Sequence, residues 1–319
     1  MGKKVLLLFM SLLLFLSGCG GQDDQIATQT DSILMTEGSI PVTEAALQTE
    51  TVMEEMETEI MIAEYTENTV LPERLDADFV RVRDYIPDLI VEMKYAYPDN
   101  FTGHSIYDFT EAYLRYGTVK KLMAVQEELR SQGLGLKLWD GFRPTAAQFK
   151  LWEILPDSTY VANPNKDFSS HSRGNTVDIT VVNAFGEEIE MPTGFDDFSA
   201  KADRDYSDCT EAAAANAMLL QNTMEKHGFV GYYGEWWHFA DSVRYDVEVC
   251  FDPSLLSDWY ADCQEFISLR REPDTAAEVI TRIPVGETFT LMGYAGDFAY
   301  VEFLGQRGYV LTGYIAAVD

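Results

Sequence analysis

The sequence is poor in basic residues and in cysteine, and both shortages exclude classes of function. Its 319 residues include 53 Asp and Glu but 23 Lys and Arg, for a net charge of −30. A chain this acidic repels phosphate and anionic headgroups, which excludes nucleic acid and anionic lipid surfaces as direct partners. The four cysteines are not spaced like a cysteine zinc site. The N-terminal apolar run, residues 5–16, is too short for a bilayer-spanning helix.

The N-terminus instead has the layout of a bacterial export signal. Two lysines precede the apolar run, which has the length of a signal-peptide core. The run ends in Leu16-Ser17-Gly18-Cys19, which resembles the lipobox of bacterial lipoproteins. The resemblance implies cleavage before Cys19 and its acylation, with enough acyl chain for stable attachment; an ordinary secretory signal is the alternative. We therefore expect residues 1–19 to be a lipoprotein signal, and the protein to lie outside the cytoplasm, anchored to a bacterial membrane.

Residues 20–74 differ in composition from the rest of the chain. Between Cys19 and Arg74 there are thirteen Asp and Glu, no Lys or Arg, and no aromatic residue except Tyr65. Like charges repel, and few large apolar groups are available for a core. We expect an extended, disordered linker that holds the folded part away from the membrane.

Residues 75–258 combine strand-like alternation with apolar residues at helical spacing. Helices are expected near residues 111–132, 144–155 and 210–227, and strands within 76–97, 135–139, 176–182 and 232–239. Long helices between strands, without regular β-α-β repetition, indicate an α+β domain with an antiparallel sheet and flanking helices.

Residues 264–319 have a different sequence pattern, with short strand-like runs separated by turn signals such as Pro284-Val285-Gly286-Glu287. This pattern predicts a small β-barrel. The pattern, which includes Gly308-Tyr309-Val310, resembles bacterial SH3-like domains. Because such domains commonly bind cell-wall material, the resemblance implies the cell wall as a partner.

Two of the four histidines lie in dense polar stretches, His171 in SSHSRGNTVD (169–178) and His238 in GEWWHF (234–239). Two histidines and a carboxylate can supply the three protein ligands of a catalytic zinc and leave a position for water. Strand alternation puts Asp178 opposite an apolar face, and a turn at Gly174 could bring His171 beside it. Glu235 lies three residues before His238, near the metal, where a general base is needed.

Together these stretches resemble the D-alanyl-D-alanine dipeptidases, the enzyme type known from vancomycin resistance. Both polar stretches resemble the zinc signatures of that family. Further matches lie in the family's order within residues 78–255, namely YA and DNFTG near residue 100, GLGLK at 133–137 and DGFRP at 140–144. The resemblance implies the Hedgehog-like zinc D,D-peptidase fold. It also implies one zinc ion per catalytic domain, held by His171, Asp178 and His238.

The resemblance also implies roles for residues around the metal. Glu235 would deprotonate the attacking water and then protonate the leaving amine, and Arg143 would stabilise the oxyanion. Ser169 and Asp196 would hold the free amino terminus of the substrate, with the adjacent Asp197 as an alternative to Asp196.

The implied reaction is hydrolysis of D-Ala-D-Ala to two D-alanines, in extracytoplasmic cell-wall peptide metabolism. Export favours a close variant, a D,D-carboxypeptidase that removes the terminal D-Ala of peptidoglycan stem peptides. The two differ in shape, because a dipeptidase needs a closed pocket with a counter-charge and a carboxypeptidase needs an open groove. A third hypothesis is a non-catalytic, wall-binding lipoprotein, which would be expected to lack the base or a ligand.

We assign no chemistry to Cys209, Cys250 and Cys263, and structural roles to the two other histidines, His104 and His227. An odd number of cysteines after Cys19 requires at least one free thiol or an intermolecular bridge, and Cys250 and Cys263 could pair. His227 fits the last turn of a helix, where a cation meets the negative end of the dipole.

Overall fold

The computed structural model describes residues 74–158 and 160–318. The lipoprotein signal with Cys19, and the acidic linker apart from Arg74, lie outside the described residues. Among the residues described, no helix combines the length and the apolar character needed to cross a bilayer.

The first part of the described chain is an α+β unit. Its strands are β1 (Phe79–Arg81), β2 (Ile90–Val91), β3 (Tyr113–Arg115), β4 (Leu134–Asp140), β5 (Thr176–Asn183), β6 (Phe229–Gly231) and β7 (His238–Asp241). Its α-helices are α1 (Tyr116–Arg130), α2 (Thr145–Ile154) and α3 (Glu211–Lys226). This composition confirms the predicted class. Helix α1 begins later than expected, because residues 113–115 form β3.

The central sheet has the strand order β2-β4-β5-β7-β6. The pairs β4–β5, β5–β7 and β6–β7 are antiparallel, as expected, but the edge strand β2 runs parallel to β4. The predicted antiparallel sheet is confirmed, with one parallel pair at this edge. The reason for the parallel pair is that the chain between β2 and β4 runs through β3 and helix α1, a crossover long enough to bring β4 back beside β2 in the same direction.

The run from Tyr232 to Phe239, expected to be one strand, is part of a hairpin. Strand β6 ends at Gly231, which pairs with Phe239, and the residues between form the turn. Trp236 and Trp237 are each only 1% exposed. Neighbours in a strand point to opposite faces, whereas the turn lets both indoles enter the core.

The core lies between the sheet and the helices. Val119, Leu122, Val125 and Leu129 of α1 are fully buried, and α1 packs on β4 and α3. Their helical spacing agrees with the predicted helix, whereas Met123 of the same helix is exposed. This helix therefore buries a single stripe against the sheet that holds the site.

The second part of the described chain is a sheet of seven strands in the order β10-β9-β13-β12-β11-β8-β14. The strands are β8 (Ser257–Ala261), β9 (Phe266–Arg270), β10 (Val279–Pro284), β11 (Thr288–Ala295), β12 (Phe298–Phe303), β13 (Gln306–Leu311) and β14 (Ile315–Ala317). The sheet has its own core, which includes Leu269, Leu291 and Val310. Strand β8, which begins at Ser257, already belongs to this sheet.

An aromatic cluster joins the two parts. The ring of Phe79 lies 4.5 Å from the rings of both Phe142 and Phe251, and Met292 of β11 packs in the same cluster. Arg307 of β13 donates to the carbonyl of Phe79 at 2.8 Å. The C-terminal sheet therefore supports the loop that contains Phe142.

The three described cysteines, Cys209, Cys250 and Cys263, are free thiols, so Cys250 and Cys263 do not pair. His227 follows the last residue of α3, and its Nε2 lies 2.7 Å from a carboxylate oxygen of Glu128. This contact agrees with the structural role expected for His227.

Candidate active site

Three potential metal ligands meet where β5 and β7 pair. Asp178 of β5 lies opposite His238 of β7 in the register, and His171 lies in a 3₁₀ turn just before β5. His238 Nδ1 lies 3.0 Å from Asp178 Oδ1 and 3.4 Å from His171 Nε2, which is itself 3.4 Å from Asp178 Oδ2. One ligand atom from each residue lies within 4.8 Å of the others. The structure thus brings the three predicted ligands together.

Gly174 makes the turn that returns His171 to Asp178. Its φ of +74° lies in the left-handed region, and a Cβ at this position would come within 2.4 Å of the Phe79 ring. Both facts require glycine here.

Hydrogen bonds orient both imidazoles with one nitrogen free for a metal. His171 Nδ1 donates to the carbonyl of Gly141 at 2.8 Å, which leaves Nε2 as the ligand atom. His238 Nε2 lies 3.4 Å from Ser170 Oγ, which leaves Nδ1 facing Asp178. Such outer partners fix the ring and tautomer of a metal-binding histidine.

The charges also suit a cation. Burial alone would raise the pKa of Asp178, but the imidazoles of His171 and His238 outweigh it and hold this pKa well below its usual range. Two imidazoles and a carboxylate are a typical ligand set for catalytic zinc. The residues present therefore fit this metal.

Glu235 lies in the turn of the β6–β7 hairpin, and its Oε2 is 3.5 Å from His238 Nδ1. Burial raises the pKa of Glu235. A carboxylate that lines the same cleft and has an increased affinity for protons is suited to proton transfer.

Arg143 is buried and follows the Gly141 carbonyl that binds His171. Its backbone N–H donates to the carbonyl of His171 at 3.2 Å, which ties the two segments together. Three of the five guanidinium donors have partners, namely Asp140 Oδ2 at 2.6 Å, Gln148 Oε1 at 3.0 Å and the Tyr107 hydroxyl at 3.3 Å. The guanidinium also lines the cleft, so its position suits stabilisation of an oxyanion.

Ser169 and Asp196 line the same cleft as the metal ligands. Ser169 Oγ accepts from the N–H of His171 at 3.3 Å and so also caps the turn. Asp196 Oδ2 accepts from the Tyr95 hydroxyl at 2.9 Å, and burial, then the charge of Asp178, raise the pKa of Asp196 well above normal. Asp197 is exposed and does not line this cleft. The geometry favours Asp196 as the acid that faces a substrate.

The cleft has a volume of about 330 Å³. Aromatic side chains form much of its wall, including Phe101, Tyr160, Phe168, Phe198 and Tyr232. A cavity of this size, with a few converging polar groups, is typical of a site for a small ligand.

Residues 75–249 match the family model described as D-Ala-D-Ala dipeptidase, and residues 265–316 match that of bacterial SH3 domains. The chain belongs to the D-Ala-D-Ala dipeptidase family. It is 37% identical over 153 residues to D-alanyl-D-alanine dipeptidase of Escherichia coli K12, covering 48% of this chain and 79% of that protein. It is 34% identical over 206 residues to D-alanyl-D-alanine dipeptidase of Streptomyces coelicolor, covering 56% and 98%.

A solved vancomycin-resistance D,D-pentapeptidase in complex with Zn(II) is also similar, at 15% identity and a TM-score of 0.30, over 43% of this chain and 77% of that chain. Similarity this low carries no argument about the site. Membership in the dipeptidase family confirms the predicted enzyme class, and the second match confirms the C-terminal SH3-like domain. The individual roles of the site residues stay predictions.

Sequence reasoning missed the residues that hold Arg143 in this dipeptidase-family site. Asp140 is completely buried, and its Oδ1 accepts from the Tyr107 hydroxyl at 2.7 Å and from the N–H of Gly141 at 2.9 Å. Gln148 accepts from Arg143 and donates to the carbonyl of Ala162 at 2.8 Å. The DGFRP stretch contained a signal, an acid three residues before an arginine, but Tyr107 and Gln148 had none.

Proposed function

We propose that this family member hydrolyses D-Ala-D-Ala to two D-alanines, with one zinc ion per catalytic domain. The observation that carries the proposal is that His171, Asp178, His238 and Glu235 meet in one small cleft. Curated relatives that bear the name D-alanyl-D-alanine dipeptidase support this substrate. The complete set of ligands and base argues against the non-catalytic hypothesis.

In the proposed reaction His171, Asp178 and His238 hold the metal. When bound there, zinc supplies Lewis acidity that favours the ionisation of water near neutral pH. Glu235 takes the proton of the attacking water on its carboxylate and gives it to the nitrogen of the leaving amine. The same group can do both because its pKa is raised by burial.

Arg143 acts on the oxygen of the scissile carbonyl. Two of its N–H donors remain beyond those bound by Asp140, Gln148 and Tyr107. Donors fixed before the reaction stabilise the charge that develops on this oxygen without further reorganisation. Asp196 and Ser169 accept from the substrate ammonium and so place the scissile bond beside Glu235.

A carboxyl group in the cleft supports a dipeptide over a stem peptide. Asp196 and Tyr95 line the cleft and are bonded to each other, so a carboxyl group is present that can pair with the ammonium of a bound dipeptide. This is the arrangement expected of a dipeptidase, whose substrate ends in a free ammonium at that point.

The test is release of D-alanine from D-Ala-D-Ala and, separately, from a stem pentapeptide, by the full chain with measured zinc content. Glu235→Ala should abolish release with zinc retained, while the exposed Glu153→Ala should match the wild type. Release mainly from the pentapeptide would replace the dipeptidase with a carboxypeptidase. A zinc-loaded protein that releases nothing from either would contradict both substrates, and an inactive, metal-free protein would favour the wall-binding hypothesis.

We also propose that the enzyme is extracytoplasmic, anchored by a lipid on Cys19, and that its SH3-like domain binds the cell wall. The lipobox-like sequence supports the anchor, and the match to bacterial SH3 domains supports the wall partner. Labelled palmitate should enter the wild type but not Cys19→Ser, and the wild type should sediment with purified peptidoglycan. Labelling of both proteins, or no sedimentation, would contradict the respective part.

A further inference from the structure

The substrate cleft shares a wall with a second cavity. This second cavity has a volume of about 530 Å³ and is lined by residues that include Trp139, Gly194 and Phe195. Phe101 and Asp196 line both spaces. We call these two residues the partition, because their side chains stand between the cleft and the second cavity.

The partition is held from both sides. The Phe101 ring lies edge-on to the rings of Tyr95, at 6.2 Å, and Phe198, at 5.5 Å. Asn100 fixes the turn that carries it, since its Nδ2 donates to the carbonyls of Tyr97 at 2.6 Å and His104 at 2.9 Å. The phenyl ring is therefore a fixed wall of the cleft.

Tyr95 also holds the other half of the partition. Its hydroxyl donates to Asp196 at 2.9 Å, and Asp196 has a φ of 56°, in the left-handed region that residues other than glycine rarely adopt. One buried tyrosine thus fixes both Phe101 and Asp196.

We propose that Phe101 is a specificity-determining residue, which with Asp196 limits the substrate to two residues by closing the cleft against the second cavity. The inference rests on the proposed function, in which the substrate ammonium lies at Asp196. In a peptide extended at its N-terminus, an amide N–H replaces that ammonium and the added residue continues past Asp196. The second cavity lies there, and the Phe101 ring blocks the passage.

The second cavity suits an added residue in size and in charge. Its volume lies within the range of ordinary ligand sites, so one amino-acid residue fits. Its charged lining includes Asp99, Glu188 and Asp197 against Lys94. A net negative lining favours a peptide whose amino terminus or side chain carries an ammonium, such as Lys-D-Ala-D-Ala.

The experiment compares kcat/KM of the zinc-loaded full chain on D-Ala-D-Ala and on Lys-D-Ala-D-Ala. Phe101→Ala should raise the ratio of tripeptide to dipeptide activity at least about tenfold, the scale on which a hydrophobic wall discriminates. Phe101→Val, which keeps more of the packing on Tyr95, should raise it less. The matched control is Phe185→Ala, an aromatic residue that is 88% exposed and lines neither cavity.

A second variant tests whether the added residue of the tripeptide enters the second cavity. Gly194 lines the second cavity, and a Cβ built on it meets no atom within 4 Å, so Gly194→Trp has room for an indole intended to occupy that cavity. Added to Phe101→Ala, it should return the ratio of tripeptide to dipeptide activity to the wild-type value.

The outcomes separate this inference from the proposed function. A wild type that cleaves both peptides equally well, or folded Phe101 variants with an unchanged ratio, would overturn the partition. A gain that survives Gly194→Trp would overturn the role of the second cavity. A zinc-loaded wild type that releases nothing from the dipeptide would instead contradict the proposed function.

Discussion

Asp140→Asn is the substitution that tests most directly how the site is held together. Asp140 has no solvent exposure, and its two oxygens have separate tasks. Oδ1 accepts from Tyr107 and from the Gly141 N–H, whereas Oδ2 accepts from Arg143 at 2.6 Å. Asparagine keeps the first oxygen but places an NH₂ group where Oδ2 was, so two donors face each other.

The expected effect of Asp140→Asn follows from the separate partners of the two carboxylate oxygens. The two hydrogen bonds to Oδ1, each worth about 1 kcal/mol net, survive the substitution. The buried ion pair does not, and loss of one partner leaves Arg143 buried without its counter-charge. We expect a loss of about 3–5 kcal/mol in the free energy of unfolding. Because Arg143 is no longer aimed at the scissile carbonyl, kcat should also fall by about 10²–10³, with a smaller change in KM.

Urea unfolding and steady-state release of D-alanine measure the two effects. The matched control is Asp108→Asn, whose side chain is 77% exposed and lies 3.5 Å from Lys150. An exposed pair of this kind contributes at most about 1 kcal/mol, so stability and kcat should stay near the wild-type values. If Asp140→Asn also left both unchanged, the assignment of Asp140 as the residue that positions Arg143 would be wrong.

Three further predictions concern the metal, one glycine and the contact between the two parts of the chain. A chelator should abolish D-alanine release and lower Tm, and added zinc should restore both. Zinc at 100 times its Kd stabilises the folded protein by about 2.7 kcal/mol. Full activity after verified removal of the metal would contradict the assigned ligands. Gly174→Ala should destabilise by more than about 1 kcal/mol in thermal unfolding, because of its positive φ and its contact with Phe79; an unchanged Tm would refute this. Burial alone would raise the pKa of Glu302, but the charge of Arg307 and hydrogen bonds from Arg74 and Arg307 hold this pKa below its ordinary value of 4.5. The stability that Glu302 contributes is therefore present above pH 4.5 and is lost as the pH falls through the lowered pKa. The unfolding free energies of the wild type and Glu302→Gln should therefore differ at pH 7 and converge in acid. A difference that stays constant with pH would contradict the ion pairs.

The SH3-like domain contacts the segment of the dipeptidase domain that contains Phe142. Phe142 lies between Gly141, whose carbonyl binds His171, and Arg143, and it packs in the cluster that Met292 completes. The C-terminal domain is thus part of the structure around the catalytic loop, in addition to its proposed role on the cell wall.

The sequence by itself determined the features that depend on neighbours along the chain. The alternation of apolar and polar residues over 176–182 predicted the strand. Its apolar residues Val177, Ile179 and Val181 are fully buried, as that pattern required. The positions of Asp178 opposite this face and of Glu235 near His238 follow from short spacings. Two compact motifs therefore predicted residues that the structure brings together in one cleft, and their roles as metal ligands and base stay predictions.

Only the tertiary structure decided the features that join distant segments. The choice of Asp196 over Asp197 depends on a backbone with φ of 56° and on Tyr95, which lies far away in the sequence. The buried partners of Arg143, the parallel edge strand β2 and the partition at Phe101 likewise depend on which segments pack together. Periodicity in a sequence reports the face on which a side chain lies, but not the residue it meets there, because that contact is set by the packing of the whole chain.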